Sequence, residues 1–262
     1  MSQPIYHLRL WVRDCAVRIV VNDVEIESIA GRVPTYIAPP LNPWLAGRAN
    51  ILTLHLSPPR RPPYPDRLGY GANVIGDVAI FGHGDQVGPT GAAEVVAVID
   101  CRDVLLEHAL EPSAKIDTIF SSKGTSFVDL LRASPVLSSK QADVLDYSMR
   151  LRDLVAAGRM EALLDEFGPR IVDYARAYAR SVDDVMTAFR SQLCELLASK
   201  LVLDFERSDV RLVEHCAGRL YRLRRWPDRP LFEGFVGDPR EPVALGLEVI
   251  VADVGGMMKV VR

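Results

Sequence analysis

Two places along this 262-residue chain concentrate side chains that could do chemistry. The first is Asp77 with the loop Phe81-Gly82-His83-Gly84-Asp85. His83 and Asp85, flanked by glycines, are able to reach a metal or a sugar hydroxyl, but two ligands do not close a metal site and no third donor is spaced to join them. The competing reading is a solvated hairpin turn, the ordinary use of Gly and Asp. The second is a run of cations: Arg207, Arg211, Arg219, Arg222, Arg224, Arg225 and Arg229 crowd one hairpin, offset only by Asp209, Glu214 and Asp228. Alternation along a strand sets Arg222 and Arg224 opposite Tyr221 and Leu223. Guanidinium forks bind carboxylates and phosphates, so Arg219, Arg222, Arg224 and Arg225 are expected to meet another protein or the other domain; the bland alternative is a solvated sheet face.

Nucleic acid is not the expected target. No stacking aromatics interleave the arginines, and 31 basic against 34 acidic residues leave a net charge of -3. No Walker-type loop, no G-x-G-x-x-G before a helix and no G-x-S-x-G elbow is present, so the sequence calls for no cofactor. Cys15, Cys101, Cys194 and Cys216 are scattered without a C-x-x-C pair and are expected to be reduced, small buried hydrophobes rather than zinc ligands or a redox dithiol. No apolar run is long enough for a membrane helix, and the N-terminus lacks the apolar core of a signal peptide, so a cytoplasmic protein is expected.

The elements that must carry these residues change in character near residue 135. Before it, Tyr6, Leu8, Leu10 and Val12 alternate, as do Val17, Ile19 and Val21, then Leu52, Leu54 and Leu56, then Val74, Val78 and Ile80, then Ala93, Val95, Ala97 and Ile99. Period 2 places each set on one side of a sheet, and turn signals between the runs imply an all-β sandwich or partial barrel. Ser57–Asp66 is rich in proline and reads as a stiff surface connection. Residues 18–56 carry a strand, an Asn22-Asp23 turn, a second strand, and then a Gly47 corner delivering Asn50 into an alternating run. That stretch resembles the galactose-binding-like jelly-roll domains attached to many carbohydrate-active proteins. Trp44, after Pro43, then has two readings, a platform for a sugar ring or a core indole.

After residue 135 the period becomes helical. Ser138 with Gln141 signals a capping box before a stripe of Val144, Tyr147, Leu151, Leu154 and Val155 that runs to Gly158. Met160, Leu163, Leu164 and Phe167 predict a short helix, Pro169 opens another with Ile171, Ala175 and Tyr178, and Ser181 with Asp184 caps a last one lined by Val185, Phe189, Leu193, Leu196 and Leu197. Strands return at Val210–Cys216, Arg219–Arg225, Leu231–Val236, the alternating run Val243 to Val251, and Met258 to Val260. Helices followed by an antiparallel meander make an α+β domain. This order resembles the cone-shaped nuclear-transport-factor-2-like (NTF2-like) fold, whose enzymes place a carboxylate or a His–Asp pair inside the cone as general base. The resemblance directs attention to Asp146, Asp173, His215, Glu233 and Glu248, with His215 the only histidine of the C-terminal half. The competing reading is ordinary strand and surface residues.

The expected organisation is therefore a β-sandwich over residues 1–120, a linker over 121–137 and an α+β domain over 138–262. The function expected first is a non-catalytic cytosolic binding or interaction protein, such as a bacterial accessory, adaptor or immunity-type protein. The alternatives are a small-molecule enzyme or ligand carrier using a C-terminal pocket, and a carbohydrate-binding module.

Overall fold

A computed structural model describes residues 3–31, 33–59, 67–69, 71–89, 91, 93–109, 111–124, 126–238 and 240–262. The chain divides into two compact units, Met1–Val128 and Asp129–Arg262. Among the described residues no helix is long and apolar enough to cross a membrane.

In the first unit the alternating runs become strands β1 (Ile5–Arg13), β2 (Ala16–Val21), β3 (Val24–Ile29), β4 (Thr35–Ile37), β5 (Asn50–Ser57), β6 (Asn73–Phe81) and β7 (Glu94–Asp100), with β8 (Ala114–Phe120) after helix α1 (Arg102–Glu107). They form two antiparallel sheets, ordered β4-β1-β6-β7 and β3-β2-β5-β8. Each sheet buries one apolar row: Tyr6, Leu8, Leu10, Val12, Val74, Val78 and Ile99 in the first, Val17, Ile19, Val21, Leu52, Leu54 and Leu56 in the second. Full burial of each large aliphatic contributes roughly 1.5–3 kcal/mol.

The local chemistry explains the corners. Asn22 and Asp23 adopt φ of 49° and 69°, the left-handed pair that a two-residue hairpin turn needs to match strand twist. Asn50 is fully buried and knots the Gly47 corner: its Oδ1 accepts from the Ala46 amide (2.6 Å), while its Nδ2 donates to the carbonyls of Gly47 (2.9 Å) and Phe120 (3.2 Å). The proline-rich expectation falls largely on residues 60–66, which lie outside the described residues.

One expectation is corrected in this unit. Val78 pairs with Ala97 but Ala79 pairs with Val95, leaving Val96 as an extra residue; this bulge turns Val95 to the face opposite Ala97 and Ile99. Part of the stretch expected as a linker is helix α2 (Ser126–Ala133), with Phe127 buried edge-on against Trp44 at 5.9 Å between centroids. The passage from one unit to the other falls inside that helix.

In the second unit the helical stripes become α3 (Gln141–Ala156), α4 (Met160–Glu166), α5 (Gly168–Ala177) and α6 (Val182–Ala198). Ser181 caps α6 by accepting from the Asp184 amide at 3.0 Å. Ser138 does not cap α3: Ser138–Lys140 is a 3-10 turn, pinned by the Leu137 amide donating to Gly218 at 2.7 Å. The strands are β9 (Lys200–Leu201), β10 (Val210–His215), β11 (Leu220–Arg225), β12 (Arg229–Pro230), β13 (Phe232–Val236), β14 (Val243–Leu247), β15 (Val249–Val254) and β16 (Met257–Val260).

They do not make one meander. One sheet runs β10-β11-β15-β16 with β12 on β11, and a separate one runs β14-β13-β9. The run Val243 to Val251, expected as one strand, is cut at Glu248: Leu247 pairs with Phe232 in the small sheet and Val249 with Leu223 in the large one. Both residues reach the same core, with Tyr147, Leu151, Phe167, Phe189 and Tyr221, so apolar alternation conceals the change of sheet.

Candidate binding surface

The outward face of the β4-β1-β6-β7 sheet is built from residues out of phase with the buried row. Register sets Tyr36, Trp11, Ile75 and Asp100 side by side, then Arg9, Asp77 and Val98, then His7, Ala79 and Val95. In an antiparallel sheet with one solvated face these positions are normally polar. Here Trp11 is 45% exposed, Ile75 39%, Val95 45% and Val98 72%.

The centre of the face is polar yet internally satisfied. Arg9 donates through Nε and Nη2 to the two oxygens of Asp77, both at 2.7 Å, and through Nη1 to the Gly91 carbonyl at 2.9 Å. Its guanidinium lies 5.7 Å from the Phe81 ring centroid, and His7 meets the same ring edge-on at 5.4 Å. Hydrogen bonding to Asp77 outweighs burial and pushes the Arg9 pKa up, keeping it charged. The pair neutralises itself, and around it stand the apolar side chains of Trp11, Ile75, Val95 and Val98, with Asp100 at the margin paired to Arg102.

At one end, Trp11 leans on Tyr36 with centroids 5.1 Å apart, and a pocket of about 260 Å³ opens between Trp11, Val12, Arg13, Pro34, Asn73 and Ile75. Burial pushes the Tyr36 phenol pKa up. The Tyr36 hydroxyl and Asn73 Oδ1 are buried atoms with no hydrogen-bond partner among the described residues.

The side chains singled out from the sequence lie elsewhere, apart from Asp77. Trp44 is buried, and its carbonyl accepts from Asn22 Nδ2 at 2.6 Å, which is the core alternative of its two readings. Asp85 accepts from the Gly82 amide at 2.6 Å and His83 is exposed beside it, the geometry of a hairpin turn; Asp77 is separately engaged with Arg9.

The arginine hairpin is not a free stripe. Arg222 is 5% exposed and lies 3.5 Å from Glu248, whose other oxygen accepts from Arg224 at 3.3 Å. Arg225 is buried, donates to Glu233 at 3.3 Å and stacks 5.4 Å from the Phe205 centroid; burial lowers its pKa. Arg229 reaches Glu233 at 3.3 Å, Arg219 donates to the Ser134 carbonyl, and Arg207 to Asp146 at 2.7 Å. Arg211 is exposed. β11 is an inner strand of its sheet, and its residues are buried or half-buried on both faces, so the alternation that suggested one wet face describes a strand with neither face open.

The carboxylates suggested as bases are thereby distributed, each beside its own arginine. Asp146 faces Arg207, Glu233 faces Arg225 and Arg229, Glu248 faces Arg222 and Arg224, and Asp173 faces Arg262 at 2.6 Å. Burial pushes the Asp173 carboxyl up, with Arg262 opposing. His215 is buried at the end of β10. A cleft of about 780 Å³ in this unit is lined by Lys200–Asp204, Phe235, Val236, Gly237 and Pro242, and contains none of Asp146, His215 or Glu248.

Among the described residues no group of three His, Cys, Asp or Glu side chains is placed to hold a metal. None of the four cysteines, all of them among the described residues, forms a disulfide; Cys15 and Cys101 are buried, with desolvation pushing both thiols up to about 12, whereas Cys216 is half-buried and Cys194 is exposed on α6, against the expectation of burial.

Sequence reasoning missed Trp11, Ile75 and Val98. The signal was present: in β1 the inward residues are Tyr6, Leu8, Leu10 and Val12, so a tryptophan at position 11 stands in the solvent phase. No protein-family model matches the chain, and neither the curated proteins nor the solved structures contain a match to it.

Proposed function

We propose that the protein is a non-catalytic interaction protein, cytosolic in setting, whose first unit docks a partner protein on the outward face of β4-β1-β6-β7. In this reading the first unit is a galactose-binding-like sandwich and the second an NTF2-like α+β unit. The observation that carries the docking surface is the exposed set Trp11, Ile75, Val95 and Val98 around the neutralised Arg9–Asp77 pair. An aromatic anchor amid aliphatics on rigid strands is the composition of an interface centre, where desolvation is favourable and little side-chain entropy is lost. The dispersal of the candidate bases, each against its own arginine, supports binding over catalysis.

The test is a double substitution, Trp11→Glu with Val98→Glu. Copurifying partner protein should be retained by the wild type and lost by the variant at unchanged thermal stability. Light scattering separates the partner classes: a concentration-dependent dimer abolished by the variant identifies a second copy as the occupant. Equal capture and equal mass for both proteins would end the proposal.

A second reading has one observation of its own. The pocket beside Trp11 offers an indole face for the C–H face of a sugar ring and a buried acceptor, Asn73 Oδ1, for a hydroxyl. Sugar-dependent quenching of tryptophan fluorescence that disappears in Trp11→Phe would favour that reading.

A further inference from the structure

The outward face of the other sheet carries a row of donors that the docking reading does not use. Register across β3, β2, β5 and β8 sets Ser28 opposite Arg18, Arg18 opposite His55, and His55 opposite Lys115. The neighbours in phase with the core, Val17, Ile19, Leu54 and Leu56, are buried, so these four side chains point outward. Like charges directly opposite across strands destabilise a sheet, and here two permanent cations flank an imidazole.

Their internal compensation is thin. Among the described residues Arg18 has one ion-pair contact, to Glu25 at 3.9 Å, and donates no hydrogen bond. Lys115 meets Asp117 at 2.9 Å in an exposed pair, which leaves two ammonium protons over, while Asp117 also accepts from Thr53 Oγ1 at 2.5 Å. His55 is half-buried between them, and no hydrogen bond from its ring is formed among the described residues. Its pKa is lowered, first by burial and then by Arg18 and Lys115, with Asp117 opposing. Adjacent strands lie about 4.8 Å apart, so Arg18 and Lys115 straddle His55 across about 10 Å, a span their long side chains close from both sides.

We propose that Arg18, His55 and Lys115 form a binding site for a phosphate-type oxyanion on the outward face of the β3-β2-β5-β8 sheet. The guanidinium supplies a two-pronged donor, the ammonium a point charge, and the imidazole a central N–H that the anion favours in its protonated form. Glu25 and Asp117 lie beside the two cations, so the incoming anion competes with these two carboxylates for the guanidinium and the ammonium.

The experiment is an NMR pH titration of the His55 imidazole in sodium chloride and in inorganic phosphate at equal ionic strength. Phosphate should raise the His55 pKa, and in Arg18→Gln/Lys115→Gln its apparent affinity should fall about tenfold or more, the loss expected for charge-assisted hydrogen bonds. Both substitutions are at exposed positions, and a thermal melt checks that the fold is retained. Glycerol 3-phosphate run in parallel separates the sources: binding at least as tight as inorganic phosphate means a phosphorylated molecule, and binding of inorganic phosphate alone means the free ion. Identical His55 titrations in chloride and phosphate, or a phosphate effect untouched by the double substitution, would overturn the assignment.

Discussion

The arginine hairpin of the second unit and the outward face of β4-β1-β6-β7 in the first invert what their residue types suggest. Seven arginines within residues 207–229 read as a wet, partner-seeking surface, yet Arg222 and Arg225 are buried and Arg224 is largely so, each against an acid of its own unit. Trp11, Ile75, Val95 and Val98 read as core material, yet they are exposed. Availability for binding depends on which strand is internal and which face is covered, and residue type reports neither. A buried, paired arginine contributes to architecture; an exposed indole on a rigid strand has its binding surface ready.

The largest expected effect breaks the arginine side of the contrast. Glu233→Ala leaves Arg225 buried without its carboxylate and should lower stability by about 3–5 kcal/mol, read as a fall in denaturation midpoint. Arg222→Glu with Arg224→Glu should likewise unfold or severely destabilise the protein, since it adds charge beside Glu248. A double variant that melts like wild type and loses only a partner would restore the hairpin as a docking stripe.

In the first unit, Leu54→Ala should cost about 2–5 kcal/mol by opening a cavity in the buried row. Asn50→Ala should cost about 2–3 kcal/mol, because the Gly47 and Phe120 carbonyls each lose one donor and the Ala46 amide loses its acceptor. Urea unfolding measures both. Against that scale, Trp11→Glu with Val98→Glu should change stability by less than about 1 kcal/mol while abolishing docking, and that separation of folding from binding is the sharpest form of the comparison.

Two smaller effects refine it. Ala179 closes α5 at φ 48°, with the Arg180 amide donating to Ala175 at 2.9 Å and the Ala179 amide to Arg176 at 3.3 Å, a left-handed cap that glycine adopts without strain. Ala179→Gly should therefore stabilise the second unit by about 0.5–1 kcal/mol. His55 gives the pH dependence. Its folded pKa lies below the ordinary 6.5, so in the window between the two values the unfolded chain binds more protons. Stability is then lost as pH falls below the ordinary value, and His55→Gln should flatten the curve there.

Several elements were legible in the residues because the physics that forms them is local. Period-2 rows at Tyr6–Val12, Val17–Val21 and Leu52–Leu56 became strands with those rows buried. The Asn22-Asp23 turn, the Ser181 cap and the stripe of Val144, Tyr147, Leu151 and Val155 also formed, each needing only neighbours a few positions away. β8 was missed because its inward face includes Thr118 while Ile119 faces outward, which weakens the alternation. The bulge at Val96 and the sheet change at Glu248 left no mark on the pattern, because each swaps one apolar neighbour for another.

The candidate sites divide along the same line. The sequence was sufficient for element type, the buried rows and the absence of nucleotide-binding and nucleophile-elbow motifs, since backbone propensity and hydrophobic period act over a few residues. Strand order was decided only by long-range pairing. It put β11 inside a sheet and neutralised its arginines, it left the out-of-phase Trp11, Ile75 and Val98 together on an open face, and it aligned Arg18, His55 and Lys115 from three distant strands. Which charges meet and which faces stay open are properties of register between segments up to about a hundred residues apart, and burial is settled where those segments pack.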